Sequence, residues 1–292
     1  MPETVTLVET PRDAFQGLSK FIPTTEKIRY IASLLDTGFA HVDLGSFVSP
    51  KAVPQMADSA EVFAAFANRL DLERIAIVLN EKGAQRAFAA PGVDTLGFPF
   101  SLSDRFQKQN SGKLQFETWP AMKAIYHDAA LLRKSFILYL SMAFGTNYEE
   151  PEEKDWNEEK LFTFIQMLVT LGGVSHISLA DTVGVAKPKQ VSRVFNTVLK
   201  AFPGVLFSAH FHGNSKTWMR SVDAALDAGC RRFDCAAGGL GGCPFACDKL
   251  IANIPSEKLA ARLEKNGIST GIDLDKINRC AKTAKEFQER YA

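Results

Sequence analysis

Short apolar runs rich in strand-forming residues recur along the whole chain and alternate with longer segments of helical period. We predict eight strands, whose sequences are VTLVE, HVDLG, IAIVL, LGFPF, FILYLSMAF, HISLAD, VLFSAHFH and RRFDCAA. Near-continuous apolar strands are typical of parallel sheets that helices cover on both faces. This alternation constrains the fold more than any other feature of the sequence.

The segments between these strands predict helices, and the first of them opens with a capping-box-like TTEK. The predicted helices are 24–35, 59–69, 117–132, 158–171, 188–201 and 216–228. Eight βα units indicate an α/β fold, a (β/α)8 TIM barrel rather than an open doubly wound sheet, and no Rossmann glycine fingerprint follows the first strand. We expect an additional C-terminal helix over 273–290, and we find no linker that would divide residues 1–292 into more than a single domain.

Composition limits the classes of partner that we expect. The chain is 46% hydrophobic and 23% charged with a net charge of +1, which gives no reason to expect nucleic acid as a partner. It contains no apolar run of about 18 residues and no basic leader, so we expect no membrane span and no targeting segment. Its five cysteines, an odd number, suit a reducing compartment. We therefore expect a cytoplasmic protein.

In a TIM barrel the active site lies at the carboxyl ends of the strands. Polar residues are frequent at these positions in this chain, and we expect them to meet at one mouth. They are Arg12 and Asp13 for the first strand, Asp43 and Ser46 for the second, Ser178 and Asp181 for the sixth, and His210 and His212 for the seventh.

His210 and His212 are the strongest candidates for a metal site. Residues two apart on a strand project from the same face, so both imidazoles could bind one ion. An isolated pair of this kind more often contains one packed and one solvent-facing histidine, but Asp13 is expected at the same mouth. Nitrogen and oxygen ligands together suit Mg²⁺ or Mn²⁺ at least as well as Zn²⁺, which is not excluded.

Arg12 lies next to Asp13, and two interpretations are open. A surface ion pair would contribute little, about 0 to 1 kcal/mol. At a barrel mouth, however, a guanidinium can stabilise the negative charge that develops on an enolate oxygen while the carboxylate holds a metal.

A glycine-rich segment follows the last predicted strand. Four of the five residues 238–242 are glycine, and Cys243 and a proline come next. Glycine loses the most conformational freedom on folding, so such a cluster suggests a purpose. The alternatives are a tight turn with a buried cysteine and a catalytic loop, about 237–247, that closes over substrate.

Several segments resemble the 3-hydroxy-3-methylglutaryl-CoA lyase family within the DRE-TIM metallolyase superfamily. The resemblance covers most of the chain, and the second and last of the matching segments are long and specific. They are PRDAFQG (11–17), SFVSPKAVPQMAD (46–58), SLSDRFQKQN (101–110), SLADTVGVAKP (178–188), HFHG (210–213) and GGLGGCPFA (238–246).

The resemblance implies that Asp13, His210, His212 and an asparagine bind Mg²⁺ or Mn²⁺. We assign that asparagine to Asn253, one residue later than the family's spacing, because the following segment still matches. The resemblance further implies an acyl-CoA substrate, a dimer, and cleavage of 3-hydroxy-3-methylglutaryl-CoA to acetyl-CoA and acetoacetate. In that reaction Arg12 would stabilise the enolate, Asp181 would be a candidate base, and Cys243 would be the acid or base of the loop.

Further substrate-binding candidates lie in the matching segments. Gln16, Ser46 and Ser178 are candidates for substrate binding, and Ser103, Arg105 and Asn110 are candidates for contacts with the nucleotide of coenzyme A.

The chain departs from the family pattern at three of its positions. Asp43, a candidate catalytic residue, stands where the family has Glu, Ala14 where it has Gly, and Gly213 where it commonly has Asp. Shortening Glu to Asp withdraws a carboxylate by about 1.5 Å, which could break a hydrogen bond.

Two alternatives to this function stay open at the level of sequence. One is a lyase or aldolase for another 3-hydroxyacyl-CoA or a hydroxy acid on the same scaffold. The other is a non-catalytic barrel that binds CoA esters. Loss of Arg12 or of the two histidines would favour the second, and all three residues are present.

Overall fold

Eight parallel strands form a closed barrel in chain order, as the sequence predicts. The structure is a computed structural model and describes residues 4–148, 156–213, 217–241 and 251–292. Strand β1 pairs with both β2 and β8, which closes the barrel. The strands are β1 Thr6–Glu9, β2 His41–Ser46, β3 Glu73–Ile77, β4 Thr95–Ser101, β5 Ser135–Ser141, β6 His176–Asp181, β7 Leu206–Phe211 and β8 Arg232–Cys235.

Helices follow the strands around the outside of the barrel. In the described ranges they are α1 Pro11–Gln16, α2 Thr24–Leu35, α3 Ser59–Ala65, α4 Glu81–Ala89, α5 Asp104–Ser111, α6 Gln115–Leu131, α7 Glu158–Thr170, α8 Pro188–Ala201, α9 Trp218–Asp227, α10 Ser256–Lys265 and α11 Leu274–Tyr291. The additional C-terminal helix is therefore confirmed, and α2 and α8 have the predicted bounds. None of these helices is long and apolar enough to cross a membrane.

Some predicted ends of strands and helices are wrong, because contacts with other parts of the chain decide where an element begins and ends. Predicted strand 75–79 is β3 Glu73–Ile77, because its first residues pair with β2 although they are charged. Predicted helix 59–69 ends as α3 at Ala65. Asp43 and Ser178, which we expected at the carboxyl ends of their strands, lie in the middle of β2 and β6. Alternation along a strand puts polar residues inside the barrel without ending the strand.

The barrel interior contains an apolar layer formed by Val8, Ile75, Ile77, Ile137 and Tyr139. Gly97 of β4 makes room for it, because a Cβ atom at Gly97 would lie 2.5 Å from Ile77 Cδ1 and 2.8 Å from Tyr139 Cε2. Layers of inward side chains fill such barrels. The layer separates polar groups at the two ends of the barrel.

Most of the core lies between the strands and the surrounding helices. The C-terminal helix α11 joins this core through Phe287, whose ring packs against Phe15 and Tyr30 with centroids 5.6 and 5.1 Å away. Phe15 lies in α1, directly after the first strand. The C-terminal helix thus supports the segment that carries Arg12 and Asp13.

Two carboxylates, the buried Glu9 and the partly buried Glu257, fix the chain after β8, where the glycine-rich segment begins. Glu9 accepts hydrogen bonds from Ala237 N at 2.8 Å and from Ser256 Oγ. Glu257 accepts one from Gly238 N at 3.0 Å. These contacts join β1, the glycine-rich segment and α10 near the carboxyl ends of the strands.

Candidate active site

The short helix α1 places Arg12, Asp13 and Gln16 at the mouth of the barrel. Pro11 occupies its first turn, where a missing N–H costs nothing. Arg12 Nη1 donates to Asp13 Oδ1 at 2.9 Å and to Gln16 Oε1 at 3.0 Å, and Gln16 Nε2 donates to Asp13 Oδ1 at 2.6 Å. The three polar side chains therefore hold one another in place.

Asp13 is buried and ionised. Burial alone would raise the pKa of its carboxyl, but the neighbouring Arg12 guanidinium, His212 and His210 together hold that pKa well below its usual range. Its second oxygen, Oδ2, accepts a hydrogen bond from Asn253 Nδ2 at 2.7 Å. An ionised carboxylate with oxygen lone pairs aimed into a polar cavity is a good ligand for a hard cation.

His210 and His212 lie on the strand side of Asp13. His210 is in β7, and His212 follows that strand and pairs with Asn253 in an antiparallel bridge. Their ring centroids are 4.8 Å apart with the ring planes nearly perpendicular. A ring nitrogen of each histidine and a carboxylate oxygen of Asp13 all lie within 4.8 Å of one another. These three residues could therefore converge on one cation.

The donor set fits a divalent cation. Both ring nitrogens of His212 are buried and have no hydrogen-bond partner among the described residues, although Nε2 lies 3.8 Å from Asp13 Oδ2. Buried polar atoms are rarely left without a partner unless a ligand or ion completes them. Two imidazoles, a carboxylate and the amide of Asn253 offer the mixed nitrogen and oxygen ligands that Mg²⁺, Mn²⁺ or Zn²⁺ can accept.

Asn253, rather than Ala252, is directed at this group. Its Nδ2 also donates to Leu240 O at 3.0 Å, and the side chain is buried. Ala252 uses its backbone carbonyl to accept from Gly213 N at 3.0 Å. The residue one position later than the family's spacing therefore lies beside Asp13.

The shorter side chain of Asp43 still reaches Arg12. Asp43 Oδ2 accepts from Arg12 Nε at 2.9 Å and from Nη2 at 2.6 Å. The other oxygen, Oδ1, is buried without a partner among the described residues. Burial raises the pKa of Asp43 to about 6, although the Arg12 charge opposes this rise. With the shorter Asp at this position, two hydrogen bonds to Arg12 are present.

Arg12, Asp13, Gln16, His210 and His212 line one cavity at this end of the barrel. Asn110, a coenzyme A candidate, lines it as well. The wall is otherwise largely apolar, and its remaining residues are Ala52, Val53, Ile77, Leu79, Pro99, Phe106, Tyr139, Ser141, Ala180 and Thr182. The cavity thus has a charged side and an apolar side, as small-molecule sites commonly do.

Several predicted residues use their polar atoms elsewhere. Asp181 accepts at Oδ1 from Val185 N at 2.9 Å and at Oδ2 from Ala186 N at 3.0 Å, so its carboxylate holds the turn after β6. Burial raises the pKa of Asp181 to about 6, and these backbone hydrogen bonds oppose the rise. Ser46 Oγ donates to Ile77 O at 3.2 Å.

The other substrate-binding candidates, Ser103, Arg105 and Ser178, are not among the residues that line this cavity. Ser103 caps α5 by accepting from Phe106 N at 3.0 Å, and the Arg105 guanidinium lies 4.2 Å from the centroid of the Tyr148 ring. Ser178 is fully buried two residues before Ala180 on the same face of β6, and its Oγ has no partner in the described ranges.

Cys243 lies outside the described residues, as does most of the predicted loop 237–247. The described entry to the loop packs against α1, the helix that carries Asp13. Gly241 has a φ of +90°, and a Cβ atom there would lie 2.5 Å from Asp13 O and 2.6 Å from Ala14 Cα. Only glycine fits this close approach, so the chain that leads to Cys243 starts at the backbone of Asp13.

The sequence interpretation missed Asp234 and Tyr139. Asp234 of β8 accepts from His210 Nδ1 at 2.8 Å, and the Tyr139 ring packs edge-on against His210 with centroids 5.9 Å apart. A polar residue inside an otherwise apolar parallel strand is the signal that could have found both.

Comparison with known proteins shows which family the chain belongs to. The family model described as HMGL-like matches residues 5–284. The chain belongs to the HMGL-like family. Hydroxymethylglutaryl-CoA lyase YngG of Bacillus subtilis is 32% identical over 286 residues, which cover 98% of this chain and 93% of that protein. The (R)-citramalyl-CoA lyase of Chloroflexus aurantiacus is 31% identical over 94% of this chain and 88% of its own length.

A solved structure of similar shape contains ligands. It is an HMG-CoA lyase from Acinetobacter baumannii in complex with coenzyme A and 3-methylmalate, with a TM-score of 0.89 and 32% identity over 98% of this chain and 92% of that chain. Membership of the HMGL-like family and the closed barrel together make this protein a lyase-family enzyme with its polar cavity at the position usual for TIM barrels.

Proposed function

We propose that this enzyme cleaves 3-hydroxy-3-methylglutaryl-CoA to acetyl-CoA and acetoacetate. The observation that carries the proposal is the convergence of Arg12, Asp13, His210 and His212 on one cavity in a chain 32% identical to a hydroxymethylglutaryl-CoA lyase over nearly its whole length. The cavity's charged side suits the oxygens of such a substrate, and its apolar side suits the methyl group.

The reaction breaks one carbon–carbon bond and involves two proton transfers. A base removes the proton of the tertiary hydroxyl, the carbon–oxygen bond becomes the ketone of acetoacetate, and the carbon–carbon bond breaks. Its electron pair passes to the departing thioester as an enolate, which an acid then protonates to acetyl-CoA. The protein must therefore supply a base, a stabiliser of the enolate oxygen and an acid.

Arg12 is the group suited to the enolate oxygen. Burial alone would lower the pKa of its guanidinium, but Asp43 and Asp13 raise that pKa by more than burial lowers it. The positive charge is therefore permanent. Asp43 and Gln16 fix the plane of the guanidinium through hydrogen bonds to Nε, Nη2 and Nη1. A preorganised cation stabilises developing negative charge without having to reorient during the reaction.

Asp13, His210, His212 and Asn253 would hold a divalent cation, Mg²⁺ or Mn²⁺ by preference. When bound there, the cation supplies a Lewis acid that stabilises negative charge on substrate oxygens. The four side chains come from α1, from the end of β7 and from the chain before α10, so three separate parts of the fold must be in place to form the site.

Cys243 is proposed as the acid that protonates the enolate, and Asp181 stays the predicted base. The support for Cys243 is its position two residues after Gly241, whose backbone packs on that of Asp13. The support for Asp181 is its place at the end of β6 and a pKa that burial raises to about 6, although its oxygens accept backbone hydrogen bonds. A base with a pKa near neutrality is ionised yet able to take a proton.

The remaining predictions about substrate and assembly rest on family membership. We propose acyl-CoA binding near Asn110, which lines the cavity, with Ser103 and Arg105 on the adjacent helix α5. We further propose that the chain acts as one domain in a cytoplasmic dimer. Sedimentation of the purified protein tests the dimer.

One assay tests the reaction. Protein loaded with Mn²⁺ under reducing conditions is incubated separately with the 3-hydroxy-3-methylglutaryl, citramalyl and 3-hydroxy-3-isohexenylglutaryl esters of coenzyme A, and products are followed by mass spectrometry. We expect acetyl-CoA and acetoacetate from the first ester at an ordinary enzymatic rate. Cleavage of another ester alone would keep the chemistry and overturn the substrate, and binding without any turnover would overturn the enzymatic function.

A further inference from the structure

We call Asp13, His210, His212 and Asn253 the candidate metal group. A buried carboxylate contacts His210, one of its two histidines. Asp234 Oδ2 lies 2.8 Å from His210 Nδ1, and the Asp234 residue is 3% exposed. The two residues sit on adjacent parallel strands, β7 and β8, which pair at Ala209 and Phe233. Both side chains are therefore fixed by strands rather than by loops.

The contact with Asp234 determines which ring nitrogen of His210 carries a proton. An ionised carboxylate only accepts hydrogen bonds, so Nδ1 must carry the proton. In a neutral imidazole the lone pair is then on Nε2, the nitrogen that remains for the cavity. The Tyr139 ring packs edge-on against His210 and limits rotation of the ring.

His212 lacks such a contact. Neither of its ring nitrogens has a hydrogen-bond partner among the described residues. Of the two histidines, His210 is thus held in one tautomer by a carboxylate and His212 is not.

We propose that Asp234 is a positioning residue that keeps His210 in the tautomer and orientation in which Nε2 faces Asp13 and His212. The inference rests on the proposed metal-dependent function and adds a residue to it. Carboxylates that accept from a metal-binding histidine fix its ring and raise its basicity, and their loss typically weakens metal binding by about 10- to 100-fold.

The opposite end of the barrel provides a matched control. His41 Nδ1 lies 2.6 Å from Glu73 Oε2, so a histidine and a carboxylate make the same kind of contact there. Neither residue lines the cavity at the mouth. Glu73→Gln therefore perturbs an equivalent pair without touching the candidate metal group.

The first measurement uses metal-free protein. Two-bond ¹H–¹⁵N correlation spectra of protein labelled with ¹⁵N-histidine report the tautomer of each of the five histidines, and the resonances lost in His210→Gln assign His210. We expect Nδ1–H at His210 in the parent and in Asp234→Asn, whose amide oxygen can still accept. Asp234→Ala should shift His210 toward Nε2–H and leave His212 unchanged.

The second measurement is the affinity for Mn²⁺ alone, obtained by calorimetric titration. We expect Asp234→Ala to bind about 10- to 100-fold more weakly, Asp234→Asn to lie between it and the parent, and Glu73→Gln to match the parent. Circular dichroism and the thermal unfolding midpoint establish that each variant is folded.

An unchanged His210 tautomer in folded Asp234→Ala would overturn the inference, as would Mn²⁺ affinity equal to that of the parent. Equal weakening by Glu73→Gln would also overturn it, because the effect would then be a general loss of stability. A parent that binds no Mn²⁺ would contradict the proposed function, while the tautomer measurement on metal-free protein would still decide the inference about Asp234.

Discussion

The two ends of the barrel both contain histidines, carboxylates and an arginine, but they differ in how completely these groups are paired. At the amino end, Glu73 accepts from Arg232 Nη2 at 2.6 Å and from Thr95 Oγ1 at 2.7 Å, and contacts His41. His176 Nε2 lies 3.1 Å from Ser208 Oγ. At the carboxyl end, both His212 ring nitrogens and Asp43 Oδ1 are buried without partners in the described part of the chain.

This difference in pairing indicates which end of the barrel contributes to stability and which to function. A polar cluster whose members hydrogen-bond to one another contributes to the stability of the fold. Buried polar atoms without hydrogen-bond partners reduce that stability and are available to bind a ligand. The apolar layer of Val8, Ile75 and Ile137 lies between the two ends. We therefore expect substitutions at the amino end to lower the free energy of unfolding, and substitutions at the mouth to lower turnover.

The largest expected effect is on turnover when metal is removed. Chelation should abolish cleavage of the thioester, and Mg²⁺ or Mn²⁺ should restore it. His212→Ala should weaken Mn²⁺ binding in a calorimetric titration and change the unfolding midpoint little, because its ring makes no described hydrogen bond. The matched variant His41→Ala should show the opposite pattern. Mn²⁺ affinity unchanged in His212→Ala would remove this residue from the metal group.

The next largest effect concerns Cys243. Cys243→Ser should slow turnover by roughly 10²- to 10⁴-fold, the usual range for losing a positioned acid or base, with little change in KM. Alkylation of the parent should inactivate it, and substrate should protect. Cys280→Ser is the control, because Cys280 is buried in α11 and burial raises its pKa above the ordinary thiol value. Full activity in Cys243→Ser would make this thiol a packing residue.

The fold and most of the charged side chains that line the cavity could be predicted from the sequence, for a physical reason. Periodicity is local, so eight apolar strands and seven of the eleven described helices could be read directly, whereas α1, α4, α5 and α10 were not predicted. Residues at strand ends must meet at the mouth of a parallel barrel. Asp234 was missed because its proposed role depends on His210, a partner on the adjacent strand. Ser46 and Ser103 stay predictions for substrate binding, and the hydrogen bonds of their hydroxyls with nearby backbone groups could not be read from composition and spacing.

Substitution of one arginine at each end gives a direct test of the contrast. Arg12→Gln should lower kcat by roughly 10²- to 10³-fold, the range for losing one preorganised group that stabilises an oxyanion. Arg232→Gln should leave kcat within a few-fold and lower the free energy of unfolding by about 1 to 3 kcal/mol, because the partly exposed Glu73 would lose its arginine partner but keep His41 and Thr95. Chemical denaturation and steady-state kinetics on both variants measure this. Equal losses of turnover in the two variants would contradict the division between the ends.

The smallest expected effect is a pH dependence of stability with opposite signs at the two ends. Near the mouth, burial raises the pKa of Glu9 to about 8, although Ser256 and Ala237 donate to it. The unfolded state then loses its proton near its ordinary pKa of about 4.5, well before the folded state does. The penalty on folding therefore grows as pH rises from about 5 to 8.

Glu73 should show the reverse behaviour. Burial alone would raise its pKa, but His41 and Arg232 hold it well below the usual range. Its stabilising contribution is thus present above the unfolded pKa and lost as pH falls below it. Glu73→Gln should destabilise the protein at neutral pH, and the difference from the parent should shrink in acid.

Urea denaturation of Glu9→Gln and Glu73→Gln at pH values from 2 to 8 measures both effects, because the Glu73 contribution is lost below the unfolded pKa of about 4.5 and the Glu9 penalty grows above it. The amide introduced by Glu9→Gln would mimic the protonated carboxyl of Glu9, accepting from Ala237 N and donating to Ser256 Oγ, which can accept as well as donate. Glu9→Gln should therefore match the parent near pH 5 and become more stable than it by up to a few kcal/mol at pH 8, since each pKa unit is worth about 1.36 kcal/mol. A difference that does not grow with pH would mean that Glu9 is ionised in the folded protein, and the mouth would then carry one more buried charge.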